Sequence, residues 1–100
     1  MTHDTAQSPE RWYLRLYIAG RSPKSVLALA NLRKLCDEFL AGRYEIEVID
    51  LLEHPELAKA DQVVAIPTLV RRLPPPIKKI IGDLSMKDRI LVSLEVETAE

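Results

Sequence analysis

Apolar positions fall in distinct rhythms along the chain, and the rhythms change where the elements change. The run Trp12-Tyr13-Leu14-Arg15-Leu16-Tyr17-Ile18-Ala19 is rich in aromatic and β-branched residues, which predicts a strand, buried on both faces toward its end. Gly20-Arg21-Ser22-Pro23 then turns the chain into a helix. Ser22 is suited to cap it, and Pro23 sits at the first helical position, where its missing amide costs nothing. Val26, Leu29, Leu32, Leu35 or Cys36, and Phe39 recur at helical spacing, and Gly42 is placed to end the helix. Tyr44-Glu45-Ile46-Glu47-Val48-Ile49-Asp50 reads as a second strand, so strand, helix and strand form a right-handed parallel unit. Pro55 ahead of Glu56-Leu57-Ala58-Lys59-Ala60 predicts a short further helix.

The second half carries two patterns at once. From Ile90 to Val96, the residues Ile90, Val92, Leu94 and Val96 alternate with Leu91, Ser93 and Glu95, which is mostly a strand pattern. Leu84, Lys87, Leu91 and Leu94, with Ile90 beside them, also make a helical stripe. Ser85 with Asp88 three residues on is a fair helix start. Natural sequences are generally consistent across levels, and their exceptions tend to be functional. Four of the seven prolines, Pro67 and Pro74 to Pro76, fall just upstream. The triple enforces extended backbone and stops any helix from crossing it.

Composition adds limits. At 100 residues the chain is expected to be one domain over residues 11–100, after a disordered lead-in over residues 1–10 that has almost nothing to bury. Its 47% apolar content allows a core, and its charges nearly cancel to a net of -1. Whole-protein electrostatics therefore select neither nucleic acid nor an anionic membrane as partner. The single Cys36 cannot form an internal disulfide, and no positively charged apolar leader opens the chain. These features predict a soluble, cytoplasmic protein.

Candidate chemistry is sparse. His3 and His54 lie too far apart in sequence to suggest a metal site. No carboxylate pair is placed for acid-base work, and no glycine-rich loop exists to hold a phosphate. The chain is thus expected to need no cofactor and to hydrolyse no nucleotide itself. Arg71, Arg72, Lys78 and Lys79, flanking the proline run, form the only dense basic cluster, weighed equally as a solvated face and as a partner-binding patch.

The β-α-β start, the bend at Gly20 to Pro23 and the step Ile66-Pro67-Thr68 together resemble a thioredoxin-like α/β fold, in which such a step usually holds a cis proline facing the active-site turn. Here that turn reads Arg21-Ser22-Pro23-Lys24, without the cysteine pair of redox members, so no thiolate is available for disulfide exchange. The resemblance narrows further. Leu16-Tyr17-Ile18-Ala19-Gly20 with Ser22-Pro23 and Ser25, Tyr44 to Asp50, Pro55-Glu56-Leu57-Ala58, Ala65-Ile66-Pro67-Thr68-Leu69, Leu73-Pro74-Pro75-Pro76 and Ile80-Ile81-Gly82-Asp83-Leu84-Ser85 are similar to the KaiB family of circadian-clock proteins.

What that resemblance implies is a metamorphic C-terminal half. One state is a tetrameric ground state in which the second half packs as two helices and a strand. The other is a thioredoxin-like monomer that binds a KaiC-type ring ATPase. The implied partners are that ATPase, further copies of the chain, and a histidine kinase with a KaiB-like sensor domain. The family's cyanobacterial members often carry basic residues where this chain has Leu27 and Glu47. Glu47 lies on the edge strand implied to capture the partner KaiA, and its reversed charge speaks against that capture. Candidate switch residues are Pro67, Pro74, Pro75 and Pro76, since exchanging X-Pro isomers is slow, together with Ser93 and Glu95. Ser93→Ala and Glu95→Arg are both expected to favour the helical, thioredoxin-like form.

Two rival functions are weighed. One is a glutathione-binding transferase module in which Ser22 would activate the thiol and Pro67 would orient the tripeptide. Such enzymes normally need a further helical domain. The other is nucleic-acid binding through the basic cluster, which suffers from the near-neutral total and the lack of a recognition helix.

Overall fold

The computed structural model describes residues 10–97. The expected lead-in falls almost wholly outside them. Strand β1 (Trp12–Ile18), helix α1 (Pro23–Phe39), strand β2 (Tyr44–Asp50), a 3-10 helix (Pro55–Asp61), strands β3 (Thr68–Leu73) and β4 (Lys78–Ile81), and helix α2 (Lys87–Leu94) follow in order. The sheet runs β2-β1-β3-β4, with β2 parallel to β1 and both β3 and β4 antiparallel to their neighbours.

β1 is the centre of the molecule, and its alternation divides the protein into two layers. Trp12, Leu14 and Leu16 join Leu69 of β3 in the main core. There they meet Ala28, Leu32, Leu35 and Cys36 of α1 and Ile90, Leu91 and Leu94 of α2. On the opposite face Tyr17 packs with Ile49 and Val70 beneath Leu51 and Val63. Leu16 and Tyr17 are both wholly buried, as expected for the end of a strand covered on two sides.

α1 starts as its sequence predicts: the Ser22 hydroxyl accepts from the Ser25 amide at 3.3 Å, and proline opens the first turn. Gly20, at φ +57°, makes the preceding bend, and a side chain there would meet Leu52 at 2.9 Å. The positive φ is what calls for glycine, since the exposed Leu52 side chain could move aside. Cys36 is buried in the core, and burial, reinforced by the neighbouring Asp37 charge, pushes its thiol up to about 12. A thiol held neutral in this way is a small hydrophobe rather than a nucleophile.

The ambiguous segment is helical here. Ile90, Leu91 and Leu94 turn inward, whereas Val92 is 78% exposed and does not share the buried face of Ile90. The expected start at Ser85 is not used. The cap position is Met86, which makes no side-chain cap bond, while the Ser85 amide donates to the Asp83 carboxylate at 3.0 Å. α2 has a short, weakly capped N-terminus, so its position depends on packing and on what meets its other end.

Candidate functional site

Strand register gathers the loops at one end of the sheet. Ile18 lies beside Asp50, Tyr17 beside Thr68, and Thr68 beside Ile81. The β1–α1 turn, the segment after β2, the approach to β3 and the turn after β4 therefore meet at a single rim. The Gly82 amide donates to the Pro67 carbonyl at 2.9 Å, and the Asn31 amide donates to the Asp83 carbonyl at 2.8 Å, tying α1 to the same rim. Ile66-Pro67 is cis, as the thioredoxin-like resemblance implies; Leu73-Pro74 and Pro75-Pro76 are cis as well.

This rim is markedly apolar. Val64 is 90% exposed, Leu52 73%, Met86 57% and Ile66 40%. Val26 and Leu27, in the first turns of α1, are exposed beside it. Scattered surface hydrophobes need no explanation, whereas several at the same end of a sheet, on loops, stand where binding residues are often carried. The sequence reading missed it. Its one signal was Val63-Val64-Ala65-Ile66, an apolar run with no regular element of its own.

The basic cluster does not form a patch. β-Strand alternation sends Arg71 and Arg72 to opposite faces, and likewise Lys78 and Lys79. Arg71 is only 2% exposed and lies in the interior, contrary to a surface role in this conformation. It donates to the Leu94 carbonyl and, at 2.8 Å, to the Pro76 carbonyl. Its guanidinium carbon stands 5.3 Å from the centre of the Trp12 ring. Arg71 thus joins the C-terminal end of α2, the proline turn and β1, and a cation suits the carbonyl end of a helix. Lys78 pairs with Glu95 at 3.2 Å, and Lys79 is exposed.

Arg72 belongs to a network that no sequence motif announced. Asp61, the last residue of the 3-10 helix, has a side chain 2% exposed. It accepts from the Tyr17 hydroxyl at 2.7 Å, from Arg15 at 3.1 Å and from Arg72 at 2.6 Å. Burial acts to raise the Asp61 carboxyl, but the bonds from Tyr17 and Arg72 and the charges of Arg72 and Arg15 outweigh it. The group is held below the ordinary carboxylate range. Glu47 sits on edge strand β2, but its carboxylate accepts from the Tyr13 hydroxyl and from Arg15 Nε, and so lies across β1. The Tyr13 bond, then desolvation acting the other way, then the charge of Arg15 leave Glu47 lowered as well.

Ser22 and Pro67, the pair of the transferase reading, both belong to the rim. The Ser22 hydroxyl is engaged as the helix cap and lies 2.8 Å from the Ser25 hydroxyl. Ser93 is exposed on α2, and Glu95 follows the helix at φ +60° in the left-handed region. No described helix is long and apolar enough to cross a membrane.

Comparison with known proteins places these features in a family. The KaiB domain model matches residues 15–96. The circadian clock oscillator protein KaiB of Prochlorococcus marinus strain MIT 9313 is 47% identical over 90 residues, covering 89% of this chain and 76% of that protein. The circadian clock protein KaiB3 of Synechocystis is 43% identical over 86 residues, covering 86% of this chain and 84% of the relative. Among solved structures, the N-terminal domain of Synechococcus elongatus SasA superposes with a TM-score of 0.70 at 16% identity, covering 100% of this chain and 99% of that one. Mitochondrial thioredoxin 3 of Saccharomyces cerevisiae gives 0.68 at 20% identity, covering 87% and 80%. These two likenesses establish the thioredoxin-like fold.

Proposed function

The chain belongs to the KaiB family, and on that footing we propose that it is a cytoplasmic timing regulator that docks onto a KaiC-type ring ATPase, with no chemistry of its own. The observation that carries this reading is the apolar rim of Leu52, Val64, Ile66 and Met86, exposed on converging loops. Docking there would remove apolar surface from water and supply the driving force. At rest the protein is a tetramer whose second half packs differently, and the conformation described above is the binding-competent monomer. A histidine kinase sensor domain of the same fold would compete for the ATPase. KaiA capture has no support, since Glu47 is acidic and engaged with Tyr13 and Arg15.

Size exclusion with light scattering, with and without a KaiC-type ATPase, tests both statements. The free protein should run as a tetramer and the mixture as a complex. Val64→Asp and Met86→Asp should each weaken the complex about tenfold or more by placing a charge in the contact. Arg11→Ala, at the other end of β1, should leave it intact. A strictly monomeric free protein defeats the tetramer, and rim variants that bind like wild type defeat the docking site.

Ser93 and Glu95 would set the balance between the two packings. Ser93→Ala adds helix propensity worth about 0.5 kcal/mol. The structure alters the choice at position 95: Arg there would favour the helix end but would lose the Lys78 pair and face that lysine with like charge. Glu95→Gly is the cleaner change: it too loses the exposed Lys78 pair, but it adds no like charge and relieves a left-handed residue. Each variant should speed association with the ATPase by about two- to fivefold, the kinetic equivalent of roughly 0.5–1 kcal/mol, if switching precedes binding. Association rates equal to wild type would remove both positions from the switch.

A further inference from the structure

The buried Asp61 carboxylate, at the end of the 3-10 helix, is divided between two strands. One oxygen, Oδ2, takes Tyr17 and Arg15, both on β1. The other, Oδ1, takes Arg72, on β3. β1 belongs to the β-α-β unit, which local sequence specifies on its own, whereas β3 belongs to the half whose sequence carries two patterns. Tyr17 is wholly buried and the Asp61 side chain nearly so. An Oδ1 without a donor would therefore be an unsatisfied anionic acceptor in a dry site, which is costly.

The other titratable groups around the carboxylate are accounted for. On β1, Arg15 also binds Glu47 of β2, and Tyr13 bonds to Glu47. The Arg15 charge is therefore shared between two carboxylates, and the second arginine on β3 is what completes the charge balance. Arg72 reaches Asp61 only while residues 68–73 lie as a strand beside β1, in the register that sets Arg15 against Val70 and Leu14 against Arg71.

We infer that the Asp61–Arg72 pair is a latch that selects the thioredoxin-like packing of the second half: Tyr17 and Arg15 of β1 fill one oxygen of Asp61, and Arg72 fills the other only when β3 docks in register. The inference rests on the proposed existence of a second packing. It assigns to Arg72 a role inside the molecule in place of one on a partner surface.

The test is a double-mutant cycle on the full chain, read by two-dimensional NMR of the free protein as the ratio of thioredoxin-like to alternative signals, and independently by the rate of association with a KaiC-type ATPase. Arg72→Met keeps the apolar stem and removes the donor; it should lower the ratio about tenfold, the scale of a lost charged hydrogen bond. Arg72→Lys, which keeps the charge, should recover part of the loss. In an Asp61→Asn background, Arg72→Met should change the ratio by less than about threefold, because the two residues act as one pair. Equal effects in both backgrounds, or an unchanged ratio in Arg72→Met, overturn the latch. A wild type that shows one set of signals and binds no ATPase overturns the switching reading, and the latch with it. A wild type that switches while Arg72→Met matches it overturns the latch alone.

Discussion

Arg71→Ala is expected to destabilise the protein by about 3–5 kcal/mol, a large part of the roughly 5–15 kcal/mol that holds a domain of this size together. The substitution leaves the carbonyls of Leu94 and Pro76 without their donor; the buried Leu94 acceptor left unpaired costs about 1–3 kcal/mol, and that of Pro76, an exposed residue, costs less because water can reach it. It also opens a cavity beside Trp12 and removes the cation from above that ring. α2 should loosen first, since Arg71 is what meets its C-terminal end. Urea unfolding followed by emission of Trp12, the only tryptophan in the chain, and by helical circular dichroism should show both the loss and the early departure of α2. Arg71→Lys, able to reach one carbonyl, should recover part of it. A loss below about 1 kcal/mol would mean that the guanidinium contributes little, its Nε having no partner already.

Asp61→Ala is expected to cost about 3 kcal/mol. Breaking a buried ion pair from one side typically costs about 3–5 kcal/mol, and the lower end applies because the Arg72 side chain is 34% exposed and can turn to solvent. The pH dependence carries the sign of a depressed carboxyl. Asp61 is held below its ordinary value in the folded state. Its contribution is therefore fully present above the unfolded value of about 3.9, and is lost as pH falls through the lower folded value. Thermal midpoints of the wild type should be flat from about pH 5 to 7 and should drop below about pH 4. Asp61→Asn should start lower at neutral pH and lose less on acidification. An acid limb unchanged in Asp61→Asn would place the titrating group elsewhere, with Glu47, also depressed, the next to replace.

The two buried charges explain why the candidate site was read only in part. The basic cluster was visible as four cations around a proline run, but a linear run says nothing of faces. Once β3 and β4 form, alternation takes Arg71 into the core and Arg72 to the opposite side. Asp61, one carboxylate among the 15 acidic residues of the chain, carried no mark, because its three donors come from positions 11 to 46 residues away. The apolar rim was equally hidden. Val64 and Met86 are neighbours of nothing in particular until register brings their loops to one end.

Local chemistry by itself determined the first half. The strand run from Trp12, the Ser22-Pro23 start of α1, its apolar stripe and the strand from Tyr44 each rest on interactions within a few residues, and all appear where the pattern places them. The cis Ile66-Pro67 bond was legible too, but through the thioredoxin-like resemblance of the step and not through local chemistry. Only the tertiary structure decided the second half. Residues 90–96 carry strand and helix periodicity together, and the difference in propensity is at most about 1 kcal/mol per site. Burial of Ile90, Leu91 and Leu94 against α1 and β1, with Arg71 at the helix end, outweighs that difference and makes the segment a helix. That choice rests on long-range packing and on two buried charges, whereas the β-α-β unit rests on contacts within a few residues.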